Sequence, residues 1–397
     1  MSCNRDLSQV PDDILECVFK EYVGGSGDLD PEPHPGPCQT PWEPSPYPIS
    51  RREVAISFPS LSRSLAHITG LITWEYIVIK HPVHIQLLRS APAHLRQVTR
   101  RLDVSMDLTG GEPYDAANLS ALIEGLPNLR IVILNNKDDD APFKTGRHIP
   151  FPVLRALKSR AGLQSLHVGG WLEYITPQDL SWMCEGLPHL QMLHIYRTGM
   201  VEQPEEHPLC RQAEPCPYRA LRRLSFGPEF HRTNNLLLWW LGVYDVVPSI
   251  EELGISCAVT FVMSKPFFLR YANQIQSLTT PDGGDCCATL TVLVRLEILT
   301  LHLEGSWVRP HRDILPHSMP LLCTITLVAG KNNQSQSSVA FRRGISIEAL
   351  FVKVLTLLLE GDYPCLSTVR ILGEPVDDGV LVGQFKALFQ ARHVLLY

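Results

Sequence analysis

The sequence predicts an α/β fold in which short parallel strands alternate with helices. Two observations carry this prediction: a spacing of apolar residues that recurs along the chain, and helical periodicity between its copies. Residues 187–195 (LPHLQMLHI) display the spacing most clearly, since Leu190, Leu193 and Ile195 follow the pattern LxxLxL. The second and third apolar residues are two positions apart, so they lie on one face of a strand, and the residues between them face the other way.

Eight further copies of this spacing occur. Closer copies begin at Leu163, Leu221, Ile250 and Leu296, and looser ones at Leu129, Ile275, Leu322 and Leu366. Consecutive copies begin 21 to 44 residues apart, and most intervals are near the period of about 20 to 29 residues of leucine-rich repeats. An ordinary α/β domain also has apolar strands, but it gives no reason for LPxL to precede the strand at both 126–129 and 187–190. The spacing therefore predicts a leucine-rich-repeat solenoid, with parallel strands on its concave side and helices on its convex side.

Helical periodicity separates the predicted strands. It covers residues 117–126, 177–187, 233–247, 347–360 and 379–390. Two polar stretches, 137–150 and 329–344, predict loops inserted between repeats. The last seven residues (ARHVLLY) predict a final strand.

An amphipathic helix is predicted ahead of the repeats, at residues 10–23 (VPDDILECVFKEYV). Its apolar face comprises Val10, Ile14, Leu15, Val18, Phe19 and Tyr22. Residues 24–50 contain eight prolines and four glycines, a composition that predicts a flexible insert and not a packed core. A second helix with Leu61, Leu65 and Ile68, then Trp74 and a strand at 76–79, follow the insert.

This N-terminal layout resembles an F-box followed by leucine-rich repeats, as in large protein families of mushroom-forming fungi. Their box commonly begins LPxEIL or LPDDIL followed by an apolar pair; the matching residues here are Val10, Pro11, Asp12, Asp13, Ile14 and Leu15, then Val18 and Phe19. Trp74 stands where their box ends in a tryptophan. Two features depart from the pattern: Leu65 stands where the family has a tryptophan, and the proline-rich insert splits the box.

The resemblance divides the chain into an F-box-like helical region at 1–80, with the insert at 24–50, and a repeat domain at 81–397. It implies a substrate-recognition adaptor of an SCF-type E3 ubiquitin ligase. In that function Val10, Pro11, Ile14, Leu15, Val18 and Phe19 dock on the Skp adaptor, and through it on a cullin, while the repeats bind a protein substrate. The alternative is a stand-alone repeat scaffold with no link to ubiquitin, in which the first helix caps the array.

Composition and charge restrict the classes of function. With 45% apolar and 19% charged residues the chain is predicted to fold, and a net charge of -6 argues against a nucleic acid or an anionic membrane as partner. The eleven cysteines are an odd number, and no leader segment precedes them, which predicts reduced thiols in the cytoplasm or nucleus. No apolar run reaches the length of a membrane span.

Motifs for catalysis or cofactor binding are missing from the sequence. It contains no GxSxG, no GxxxxGK[ST] and no HExxH. The nearest approach to a metal site is HPLCRQAEPC, with His207, Cys210 and Cys216, but no second paired knuckle accompanies it. We therefore expect a binding protein without a catalytic residue, a metal or a cofactor.

We call the apolar residues of the LxxLxL copies the ladder residues. The residues between them are the candidate substrate-binding residues, because strand alternation directs them to the concave surface. They include His167, His194, Tyr196, Arg223, Ser225, Thr300, His302 and Arg370. His167 and His194 would be neighbours there, and an ordinary polar surface is favoured over a metal or catalytic pair. A mixture of His, Tyr, Thr and Arg fits protein recognition.

Overall fold

The computed structural model describes residues 11–24, 63–105, 115–134, 147–168, 173–196, 217–227, 231–256, 261–281, 285–303, 314–329, 347–372 and 380–397. The chain divides into two compact units. Of the described residues, the first unit comprises those within 11–175 and 182–193, and the second comprises those within 176–181 and 194–397.

The first unit begins with helices and continues as alternating strands and helices. Its helices are α1 (Asp12–Gly24), α2 (Arg63–Glu75), α3 (Pro82–Arg89), α4 (Ala93–Val98), α5 (Ala116–Glu124) and α6 (Phe151–Lys158). Its strands are β1 (Tyr76–Ile79), β2 (Arg101–Val104), β3 (Ile131–Leu134), β4 (Arg147–His148), β5 (Ser165–Val168) and β6 (Glu173–Tyr174). Two elements contribute residues to both units: α7 (Pro177–Cys184) and β7 (Met192–Ile195).

The second unit repeats the alternation. Its strands are β8 (Arg223–Phe226), β9 (Glu252–Ile255), β10 (Ser277–Pro281), β11 (Ile298–Leu303), β12 (Thr324–Ala329), β13 (Thr368–Leu372) and β14 (Leu395–Leu396). Its helices are α8 (His231–Tyr244), α9 (Phe261–Tyr271), α10 (Cys286–Val292), α11 (Ile347–Glu360) and α12 (Val380–Gln390).

Parallel strands in chain order form the sheet of the first unit. β1, β2, β3 and β5 pair in that order, and the register aligns Ile77, Leu102, Val132 and Leu166 in one row. All four side chains are buried. The short strands β4 and β6 form a separate parallel pair, so residues 147 and 148 belong to a strand and not to the loop predicted there.

The same arrangement holds in the second unit, where β8 to β14 pair in chain order and in parallel. Their register aligns one buried row of ladder residues: Leu224, Leu253, Leu278, Leu299, Ile325, Val369 and Leu396. The predicted repeat of apolar residues is therefore confirmed, because the same position of each copy occupies the same row. A row of this kind buries apolar surface only when its neighbours are present, which couples the stability of adjacent repeats.

The predicted helices are confirmed, with bounds that shift by a few residues at most, as α5, α7, α8, α11 and α12. Helix α9 was not predicted, and Pro266 lies inside it. Each described helix is too short or too polar to cross a bilayer.

Candidate functional site

Helix α1 packs on α2 through one of its two apolar faces. Leu15 and Phe19 form a buried cluster with three residues of α2: Leu65, Ile68 and Ile72. The spacing of four residues places Leu15 and Phe19 one above the other on the helix, where they meet the matching stripe of α2.

The other apolar face of α1 is exposed. Ile14 and Val18, also four residues apart, are 50% and 58% exposed, whereas Leu15 and Phe19 are each 7% exposed. Pro11 is exposed at the start of the helix, and Val10 lies outside the described residues. The predicted adaptor-binding residues are therefore split: Pro11, Ile14 and Val18 are accessible to a partner, and Leu15 and Phe19 stabilise the helix pair. We call Ile14 and Val18 the α1 ridge.

In the second unit, the residues between the ladder positions form two rows on the opposite face of the sheet. The register gives the first row as Arg223, Glu252, Ser277, Ile298, Thr324, Thr368 and Leu395. It gives the second row as Ser225, Gly254, Thr279, Thr300, Thr326 and Arg370. Six hydroxyl side chains at the β10 to β13 end of these rows are half-buried, and we call them the hydroxyl face: Ser277, Thr279, Thr300, Thr324, Thr326 and Thr368.

The predicted residues Thr300 and Arg370 lie in the second row, separated by Thr326. Arg370 is exposed. Arg223 lies at the other end of the first row, where its Nε is 2.8 Å from Oε2 of Glu252 on the neighbouring strand. The two predicted arginines therefore differ: the charge of Arg223 is balanced by a carboxylate, and that of Arg370 has no such partner within the described part of the chain.

His194 and Ser225 are buried, although the sequence places them on an accessible surface. Nδ1 of His194 lies 2.6 Å from Oγ of Ser225, and burial lowers the pKa of His194 to about 4. The ring of Tyr196 meets that of His194 edge-on at 6.3 Å. A serine beside a histidine is the arrangement of a nucleophile and its base. With so low a pKa, however, this imidazole is a weak base, and its contact with Ser225 satisfies two buried polar groups.

The two other predicted histidines are half-buried. His302 lies between Pro281 and Val328 in the register, and burial lowers its pKa to about 4. It is therefore uncharged at neutral pH. His167 lies beside Ile133 on β3 of the first unit, whereas His194 belongs to the second unit.

A polar cluster on β1 and β2 was not predicted from the sequence. Arg101 donates from Nε and Nη2 to the two carboxylate oxygens of Asp103, at 2.9 Å each. The Tyr76 hydroxyl donates to Asp103 at 2.5 Å, and the guanidinium carbon lies 4.2 Å from the centre of the Tyr76 ring. All three side chains are buried. The alternation of Arg and Asp with Leu102 and Val104 was the signal that could have revealed a strand with a polar face.

Within the described ranges, no group of three or more His, Cys, Asp or Glu side chains is placed to hold a metal ion. His207, Cys210 and Cys216 lie outside those ranges, as do residues 24–50 apart from Gly24.

Comparisons with known proteins leave the family open. No protein-family model matches the chain, and no curated protein matches it. One of the solved structures that match is the crystal structure of a TLR13–ssRNA13 complex, with 11% sequence identity and a TM-score of 0.27. The match covers 81% of this chain and 52% of that one, so this chain spans about half the length of the TLR13 chain. Similarity at this level transfers neither fold nor function.

Proposed function

We propose that the protein is a substrate-recognition subunit of an SCF-type ubiquitin ligase. In this proposal the α1–α2 pair docks on a Skp adaptor, which links it to a cullin, and the repeats bind a protein substrate in the cytoplasm or nucleus. The observation that supports it is the α1 ridge: Ile14 and Val18 are exposed on a helix whose neighbouring apolar face, with Leu15 and Phe19, is already buried by α2. An apolar ridge at a spacing of four residues fits the groove of a partner that binds helices.

The chain would act by proximity. It would hold a substrate near the ubiquitin-carrying enzyme of the ligase and so raise its effective concentration, without forming or breaking a bond itself. This role requires two separate binding surfaces and no catalytic group. The α1 ridge is the candidate for the first surface, and the hydroxyl face is the candidate for the second.

Co-purification of the full chain with a fungal Skp adaptor tests the docking surface. The test variant is Ile14→Asp with Val18→Asp, because both side chains are exposed and their replacement leaves the packing of Leu15 and Phe19 intact. The control is Val262→Asp, which places one such charge at a 77% exposed position of α9. We expect a stoichiometric complex with the wild type and the control, and none with the double variant.

Thermal unfolding of the three proteins alone should give similar midpoints, since all three changes are on the surface. Retention of the complex by the double variant would contradict docking through the ridge. A wild type that forms no complex would contradict the ubiquitin link altogether.

The second candidate function is a stand-alone protein-binding scaffold. The observation that favours it is that α2 runs directly into β1, Arg63–Glu75 being followed by Tyr76–Ile79, so the helix pair adjoins the first strand as a cap does. In that case the wild type would form no adaptor complex, and deletion of residues 1–24 would lower the midpoint of thermal unfolding.

A further inference from the structure

The hydroxyl face carries polar groups that have no protein partner among the described residues. Thr279, Thr300 and Thr326 lie on three adjacent strands and are half-buried. None of their hydroxyls hydrogen-bonds to another described residue. Buried and half-buried polar groups are usually paired, with protein or with water. These hydroxyls are therefore open to a ligand that lies across the strands.

Electrostatics distinguish one end of this face. Arg370 continues the row of Thr279, Thr300 and Thr326, and within the described part of the chain it makes no ion pair. Among the described residues of the two rows, the one side-chain carboxylate belongs to Glu252. Nε of Arg223 lies 2.8 Å from Oε2 of Glu252 and balances its charge. His302, whose pKa burial lowers to about 4, is uncharged at neutral pH. Among the described residues of the two rows, Arg370 is thus the cation that makes no ion pair, on a chain whose net charge is -6.

The neighbours of Arg370 suit recognition of an anionic group. Thr326 lies beside it on β12, about 4.8 Å away across the sheet, and Thr368 precedes it by two residues on its own strand. The backbone of Tyr397 donates to the carbonyl of Val369 at 3.0 Å, which brings this 64% exposed aromatic residue alongside. Arginine forms paired, directional hydrogen bonds with carboxylates and phosphates, and threonine hydroxyls add donors to the same oxygens.

We propose that the hydroxyl face binds an extended peptide segment with an anionic side chain, a carboxylate or a phosphate, seated on Arg370 and Thr326. The peptide crosses the strands, and its polar groups bond the hydroxyls of the two rows. This inference deepens the proposed function, since it rests on the repeats being the substrate-binding surface and names the chemistry of the substrate.

Fluorescence anisotropy with three labelled, end-capped peptides tests the inference on the full chain at low ionic strength. The probes are hexaglutamate, hexaglutamine, and a hexaglutamine with one central phosphoserine. We expect saturable binding of at least one anionic probe, at least tenfold tighter than that of hexaglutamine and weakened by added salt. The stronger anionic probe identifies carboxylate or phosphate as the preferred group. The acidic chain repels such probes in general, so saturable binding reports a local site.

Three variants locate the binding. Arg370→Gln is expected to weaken binding of the preferred probe at least tenfold, and Thr326→Val severalfold, because each removes a donor to the anion. The control Arg155→Gln removes the same charge from an exposed position of α6, outside the two rows, and should leave affinity within about twofold, since it removes no donor to the anion. Equal binding of all three probes, no saturable anionic binding, or an unchanged affinity of Arg370→Gln would each overturn the inference.

The peptide assay contains no adaptor, so it is independent of the docking test. Anionic peptide binding without an adaptor complex would retain the inference and overturn the ubiquitin link. An adaptor complex without binding of an anionic peptide would retain the ubiquitin link and overturn the inference.

Discussion

Nδ1 of His194 lies 2.6 Å from Oγ of Ser225, and both side chains are buried. Because the cost of burying a charged imidazole is large, the folded state favours neutral His194 and the pKa falls from 6.5 to about 4. A residue whose sequence position favours an accessible surface is thus part of the core. Its titration is coupled to folding.

Acidification between pH 6.5 and 4 is expected to destabilise the protein. In that range the unfolded state binds a proton at His194 that the folded state does not, so the free energy of unfolding falls as pH falls. The stabilisation is fully present above pH 6.5 and lost towards pH 4. A shift of this size corresponds to about 3 kcal/mol at most. Urea unfolding at pH 7 and pH 4.5 measures the change.

His194→Asn provides the comparison, since an amide can meet Ser225 but does not titrate. The loss of stability between pH 7 and pH 4.5 should be smaller in this variant than in the wild type, whatever its absolute stability. Some pH dependence should remain, because burial also lowers the pKa of His302 to about 4. Equal losses in the two proteins would refute the assignment to His194.

Asp103→Asn is expected to destabilise the first unit by about 3 to 5 kcal/mol, because it leaves the buried guanidinium of Arg101 without its counter-charge. Denaturant unfolding measures the effect. Glu185→Gln is the matched control: Glu185 pairs with Lys158 at 3.0 Å but is 56% exposed, so its loss should cost less than about 1 kcal/mol. Similar costs for the two variants would contradict the role of Asp103 as a buried counter-ion.

The ladder could be predicted from the sequence because its signal is periodic and repeated. Each copy places apolar residues two positions apart, and adjacent copies need one another to bury them. Leu224, Leu253 and Leu278 therefore keep the same position in their copies, although the residues around them differ. Helix α11 was predicted to the residue for a similar reason, since 14 residues with strong periodicity leave few alternatives.

Burial of polar and mixed faces could not be predicted, since it depends on what packs against them. Strand β2 was not predicted because two of its four residues, Arg101 and Asp103, are charged. They neutralise one another in the folded chain, but a search for apolar residues does not detect such a pair. Ile14 and Leu15 are adjacent apolar residues with opposite fates, because α2 covers the side of α1 that bears Leu15. Periodicity gives the width of an apolar face but not which part of it a neighbour covers.

Thr176→Val is expected to lower the free energy of unfolding by about 1 to 2 kcal/mol, because it removes hydrogen bonds at the N-terminus of α7. Thr176 directly precedes that helix, where its Oγ1 accepts from the Asp179 backbone at 3.2 Å and the Asp179 carboxylate accepts from the Thr176 backbone at 2.9 Å. Valine keeps the shape and removes the acceptor. Thr176→Ser keeps the hydroxyl and should cost clearly less in urea unfolding. A serine variant as unstable as the valine variant would exclude the reciprocal hydrogen bonds as the cause.

Gly242→Ala and Gly383→Ala should change stability in opposite directions, although both add one methyl group within a helix. A Cβ at Gly242 of α8 would lie 2.3 Å from the backbone nitrogen and 2.5 Å from the Cα of buried Phe267 in α9, so the helices would have to separate. We expect Gly242→Ala to lower the free energy of unfolding by about 2 kcal/mol or more. A Cβ at Gly383 of α12 meets no atom within 4 Å beyond its chain neighbours and its own helix backbone. Alanine there should therefore raise the free energy of unfolding by up to about 1 kcal/mol through its helix propensity. Urea unfolding of the two variants measures both signs, and a stable Gly242→Ala protein would mean that α8 and α9 do not pack backbone to backbone at this point.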